Sequence, residues 1–213
     1  MPLDFDATDD VIATRLSQRA SLNEDMRAVI DRCEATSPHP DWSRLRSLDY
    51  EADLPLLRDW ITRPFTREPP TITLAGLWFG LSNPVLRDGT PVADVYVAGC
   101  ADYDPDDEGR SWVRPDYLPR SRYAYCPALW TIYRIAYHDE KRGLGNDAEY
   151  PLCLAFTAFT VRRLLSDADP KLFLRGAALL GVAVGFNSGR PELLGELCPD
   201  GFITTWRKKN KAP

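Results

Sequence analysis

Five acidic residues stand close together in one segment: Asp102, Asp104, Asp106, Asp107 and Glu108. Carboxylates at the first, third and fifth positions are how a calcium-binding loop begins. The pattern then breaks, because the sixth position requires Gly and is Asp107, and the twelfth requires Glu and is Val113. Two other readings fit such a run. Aspartates make turns by hydrogen-bonding their own backbone, and a block of carboxylates offers a contact to a basic partner. Directly after it come Trp112, Tyr117, Tyr123, Tyr125 and Trp130, interleaved with Arg110, Arg114, Arg120 and Arg122. Tyr, Trp and Arg dominate binding hot spots. They equally suit an amphipathic lid over a core. As a surface, the segment would use Asp102 to Glu108 for charge and Trp112, Tyr117 and Tyr123 as apolar anchors.

Other chemistry assembles less well. Gly185 to Gly189 (GFNSG) resembles a nucleophile elbow out of register: its third residue is Asn187, and Ser188 comes fourth. A serine nucleophile also needs a base, and the two histidines, His39 and His138, sit in polar connections. A hairpin turn is the expectation there. No C-x-x-C or H-x-x-x-H pair is present, so a metal centre would need distant residues. No cofactor is expected. Cys153 lies in an apolar run as packing. Cys126 precedes Pro127 at a helix start, where a thiolate is favoured. Asp147 and Glu149 head a long apolar helix, where acids suit the helix dipole. They are also the only basis for an alternative reading, a small hydrolase or transferase with a carboxylate-based site.

Composition bounds the class. The 213 residues carry a net charge of −5, which argues against non-specific nucleic-acid binding. The acidic N-terminus has no apolar signal region, and no apolar run is long enough for a bilayer. Five scattered cysteines suit reduced thiols better than a disulfide framework. A cytoplasmic protein is expected.

The positioning elements follow from periodicity. Asp9 to Cys33 reads as two helices with a break near Ser21, where Ser21 and Glu24 form a capping-box pattern. A short helix is expected over Asp53 to Ile61, and Pro64 to Pro70 reads as a linker. Thr71–Leu81 and Val92–Gly99 predict an antiparallel hairpin. Pro115–Tyr125 reads as irregular. Pro127–Tyr137 predicts a helix. Pro151 is placed at the first turn of a buried helix that runs to Leu165, with Arg162 and Arg163 returning it to solvent. A short helix over Pro170–Leu174 and strands at Gly181–Phe186, Glu192–Leu197 and Phe202–Trp206 complete the chain before a basic tail, Arg207–Lys211. The blocks predict an α+β fold: an antiparallel sheet with helices packed on one face around a buried central helix, plus a helical N-terminal layer. Residues 1–66 form the helical segment and 67–213 the α+β body.

The phrases LWFGLSNP, DVYVAGCADYD, GLGNDAEYPLCLAF and VAVGFNSGR resemble an uncharacterised family of bacterial cytosolic proteins associated with immunity proteins encoded beside secreted polymorphic toxins. The likeness spans Leu77 to Leu197 and does not extend to the helical N-terminus. It implies a non-enzymatic binding protein whose partner is a cognate toxin with a basic surface. It carries no catalytic residue set. Neither nucleic acid nor a membrane is an expected partner, and pairing of two copies of the chain stays open.

Overall fold

The computed structural model describes residues 4–139 and 142–206, so the basic tail lies outside the described residues. Ser21 starts α2 (Leu22–Thr36) as its N-cap, with the reciprocal bonds to Glu24 of a full capping box. Ahead of it stands α1 (Phe5–Leu16), capped by Asp4. A one-turn helix, α3 (Trp42–Arg46), follows. Then comes α4 (Leu54–Arg67). It continues through Pro64, so the linker expected there starts only after Arg67. The apolar face Leu57, Trp60, Ile61, Pro64 and Phe65 is buried. That burial outweighs the roughly 3 kcal/mol a mid-helix proline costs.

The sheet has six strands in the order β3-β2-β1-β4-β5-β6. β1 (Gly76–Ser82) and β2 (Asp94–Cys100) form the expected antiparallel hairpin. β3 (Pro115–Tyr117) is a short edge strand inside the segment read as irregular. β4 (Leu180–Phe186), β5 (Glu192–Cys198) and β6 (Gly201–Thr204) form an antiparallel meander. The two halves join through β1 and β4, which run parallel, with Gly76 opposite Gly181 and Leu81 opposite Phe186. The sheet is therefore mixed, antiparallel in every other pairing. A parallel pair needs a long crossover, and here it carries α5 (Pro127–Ala136), α6 (Asn146–Asp167) and α7 (Pro170–Leu174).

α6 is the centre. It is buried from Leu152 through Val161 on every side, and α1, α2, α4 and α5 all pack on it as well as the sheet. It begins at Asn146, after Gly145 at φ 55°, and not at Pro151. The extra turn holds Ala148 and Glu149 in buried positions, worth more than the single backbone bond Pro151 cannot donate. One hydrophobic core unites the N-terminal helices, α6 and the inner sheet face: Ile12, Met26, Phe65, Phe79, Val97, Phe156 and Val184 belong to it.

Candidate functional site: the outer face of the sheet

Strand alternation sends Leu77, Phe79 and Leu81 towards the helices and Gly76, Trp78 and Gly80 to the other side. β4 repeats the pattern with Gly181, Ala183 and Gly185. No described helix covers this outer face. Instead, large rings occupy the space above the glycines. A side chain at Gly76 would stand 2.6 Å from the Trp112 ring, and one at Gly80 would meet Trp78 and Tyr96. Trp78, Tyr96, Ala98, Cys100, Trp112, Ala183 and Leu193 form a second, smaller core.

The acidic loop is the cover of this core. Tyr103, Trp112 and Val113 point down onto it, while four of its carboxylates stay exposed. Trp112 meets Tyr103 edge to face at 5.0 Å, and the Tyr103 hydroxyl donates to Glu196 Oε1 at 2.7 Å. Asp107 is the internal brace: Oδ1 accepts from Gly109 N at 2.9 Å, and Oδ2 accepts from the Ser111 hydroxyl at 2.7 Å. The Ser111 hydroxyl, with help from these loop amides, holds the Asp107 carboxyl below the usual carboxylate range. Asp104 makes an Asx turn onto Asp106 N at 2.9 Å. Asp102, Asp104, Asp106 and Glu108 are exposed. Among the described residues, no group of three or more His, Cys, Asp or Glu side chains is arranged to hold a metal ion.

Trp112 is 5% exposed and Tyr117 9%. Tyr117 donates to the Glu68 carbonyl at 2.8 Å. Both rings are packed inside and are not surface anchors, because burying the apolar loop roots is what fixes the loop. Tyr123, by contrast, is 48% exposed. It pairs with Tyr96 across an isolated bridge beside β2, its ring 5.5 Å from that of Tyr96, with Arg122 over it at 4.8 Å. Leu118 and Tyr125 are exposed nearby in sequence.

Between the loop and this aromatic edge lies a cleft of about 490 Å³, lined by Trp78, Tyr96, Arg110, Arg114 and Asn187 among others. A relay crosses its floor: Trp78 Nε1 donates to the Tyr96 hydroxyl at 2.9 Å, which donates to Asn187 Oδ1 at 2.7 Å. Asn187 belongs to the GFNSG turn, so that segment supplies a polar amide and no nucleophile. Arg110 closes the cleft's loop side. It sits at φ 56°, a conformation that costs a non-glycine residue about 1 kcal/mol or more, and its buried Nε has no hydrogen-bond partner among the described residues.

The carboxylates at the head of α6 do not form a pair. Glu149 is buried, one oxygen accepting from Asn83 Nδ2 at 2.6 Å and the other from the Tyr137 hydroxyl at 2.8 Å. Asp147 faces Ser37 at 3.4 Å. Two residues apart on a helix, they point roughly 200° apart. Cys126 donates its thiol to Asp53 Oδ2 at 3.3 Å. Burial above all, with that acid beside it, pushes its pKa well up, so the helix start does not make a thiolate. The histidines, separate in sequence, meet at one carboxylate: His39 Nδ1 lies 3.4 Å and His138 Nδ1 3.5 Å from Asp41 Oδ2. Nothing in the local sequence announces that cluster, because its members are about a hundred positions apart.

An α+β protein with a mixed sheet and a loop-covered outer face is what the fold and the site define. Compared with known protein families, with characterised proteins and with solved structures, the chain gives no match. No described helix is long and apolar enough to cross a membrane.

Proposed function

We propose that the chain is a non-enzymatic binding protein, an immunity protein that neutralises a cognate bacterial toxin by occluding its active site with the outer sheet face. One observation carries the reading: Asp102, Asp104, Asp106 and Glu108 are held outwards on a loop staked to the sheet, beside a preformed cleft and the exposed Tyr123. A fixed loop spares the ordering cost a flexible one incurs on binding. Its carboxylates suit a toxin with a basic surface and speed the encounter. The cleft, with Arg110, Arg114 and Asn187, accepts an inserted side chain of that partner. A cytoplasmic location belongs to this reading.

The test uses the protein encoded immediately upstream as partner. Co-expression of the chain should protect cells from it, and the purified pair should associate. Reversing Asp102, Asp104, Asp106 and Glu108 to Lys should lower the association rate by about tenfold or more at low salt and abolish its salt dependence. Absence of both protection and association overturns the function. Association with an unchanged rate removes the loop from the interface.

A further inference from the structure

A second cleft, about 620 Å³, opens on the other side of the molecule between the α1–α2 turn and the last turns of α6. Its chemistry is opposite to that of the acidic loop. Arg15, Arg162 and Arg163 gather around a single buried carboxylate, Asp25, and Arg19 stands beside Arg162 at the cleft wall. Arg15 Nε is 2.8 Å from Asp25 Oδ1 and Arg163 Nη2 2.7 Å from Oδ2, while Arg162 Nη2 stands back at 3.6 Å.

The charge there does not balance. Burial first, and then the neighbouring Arg163, draws the Arg162 pKa down against the pull of Asp25. The other acids at the rim are committed elsewhere. Glu24 accepts from Ser21 N at 2.9 Å and from its hydroxyl at 2.8 Å. Asp167 takes Arg58 at 3.1 Å. With Asp167 set against Arg58, the four guanidinium groups have only Asp25 and Glu24 to offset them, a surplus of two positive charges in a chain whose net charge is −5.

These guanidinium groups differ in freedom. Arg162 Nη1 donates to the carbonyls of Leu16 and Gln18, at 3.2 and 2.7 Å. Arg163 donates to the carbonyls of Phe159 and Ala20. Both are held rigid by the turn they pin. Arg162 Nε is buried without a partner among the described residues. Arg19 is exposed, lines the cleft and makes no bond within the described residues. A fixed cationic floor with one free arm is the arrangement of an oxyanion site, because guanidinium forks match the oxygens of phosphate.

We infer that this cleft binds a doubly charged phosphate-type oxyanion, with Arg162 and Arg163 as its floor and Arg19 closing over it. The surplus of two charges matches a dianion. The volume exceeds that of bare phosphate, so a phosphomonoester of a small organic group is the fitting class. The site is independent of the outer face.

The experiment titrates the full chain with inorganic phosphate and with phenyl phosphate by calorimetry, using acetate at equal ionic strength as control. Saturable one-to-one phosphate binding with Kd on the order of 1 mM is expected, phenyl phosphate at least as tight, and acetate undetected. Arg19→Ala, whose side chain supports nothing in the fold, should keep the same melting temperature in phosphate-free buffer and bind phosphate about tenfold more weakly. No saturable binding overturns the site. So does an Arg19→Ala variant of wild-type affinity, or acetate binding equal to that of phosphate.

Discussion

The ring of Tyr103 lies over Gly181 and fills the space where a side chain at that position would stand. The contact fixes the acidic loop to the middle of the sheet, since Gly181 is on β4 directly opposite Gly76 of β1. Gly181→Ala should therefore expel Tyr103 and break its bond to Glu196. A stability loss of about 1–3 kcal/mol is expected from overpacking. Hydrogen exchange should rise across 101–114 and not in α6. In the Tyr103→Ala background the same substitution should cost much less. Unchanged loop protection in Gly181→Ala would show that the ring is not the stake.

The hairpin β1–β2, the Ser21 cap and the Tyr/Arg-rich segment could be read from neighbouring residues, since each depends on local alternation or on spacings of three and four. The parallel β1–β4 pair could not, because about a hundred residues separate Gly76 from Gly181. Arg162 and Arg163 look like a solvent-facing helix end until α1 and α2 fold over them. Trp112 and Tyr117 carry the composition of an interface, and composition alone does not tell a ring that roots a loop from one that meets a partner. The placement of Gly76 beneath Trp112, and of Gly99 and the Glu68 carbonyl against Tyr117, distinguishes them.

Thiol chemistry should be confined to one site. Cys33, Cys100, Cys126 and Cys153 are buried, and only Cys198 is partly exposed. Burial pushes the Cys33 and Cys100 thiols up to about 12, far from the thiolate form at neutral pH. A disulfide reagent at pH 8 should modify one thiol quickly in the native chain and all five after denaturation. Rapid native modification of a second cysteine would contradict the packing of the core.

Glu68 makes the aromatic edge sensitive to acid. Its carboxylate accepts from Arg120 N at 2.7 Å, Ser121 N at 3.0 Å and the Ser121 hydroxyl at 2.6 Å. The Ser121 hydroxyl, followed by the Arg120 and Ser121 amides, holds Glu68 below the ordinary glutamate value of 4.5. A depressed carboxylate binds fewer protons folded than unfolded, so its contribution is present above pH 4.5 and lost as pH falls through the lower folded value. Exchange of the Ser121 amide should accelerate across that window. Glu68→Gln should show fast exchange already at pH 7, with the step abolished. A step of equal size in Glu68→Gln would assign the acid sensitivity to another group.

Tyr123 and Trp112 should separate binding from stability. Both are aromatic and lie close in sequence, yet one is 48% exposed and the other 5%. Trp112→Ala removes the loop's root and leaves a cavity above Gly76, at an expected cost of about 3–5 kcal/mol. Tyr123→Ala gives up only partial contacts with Tyr96 and Arg122, at a cost below about 1 kcal/mol. On the proposed function the order reverses for partner affinity among folded molecules. Tyr123→Ala should raise the dissociation rate by about tenfold or more, as loss of a central aromatic anchor does. The effect should be independent of salt, unlike that of reversing Asp102, Asp104, Asp106 and Glu108, because an apolar anchor acts after the charges have met. A Tyr123→Ala variant with unchanged dissociation would move the contact away from the aromatic edge, leaving the cleft between Arg110 and Asn187 as the seat of the partner.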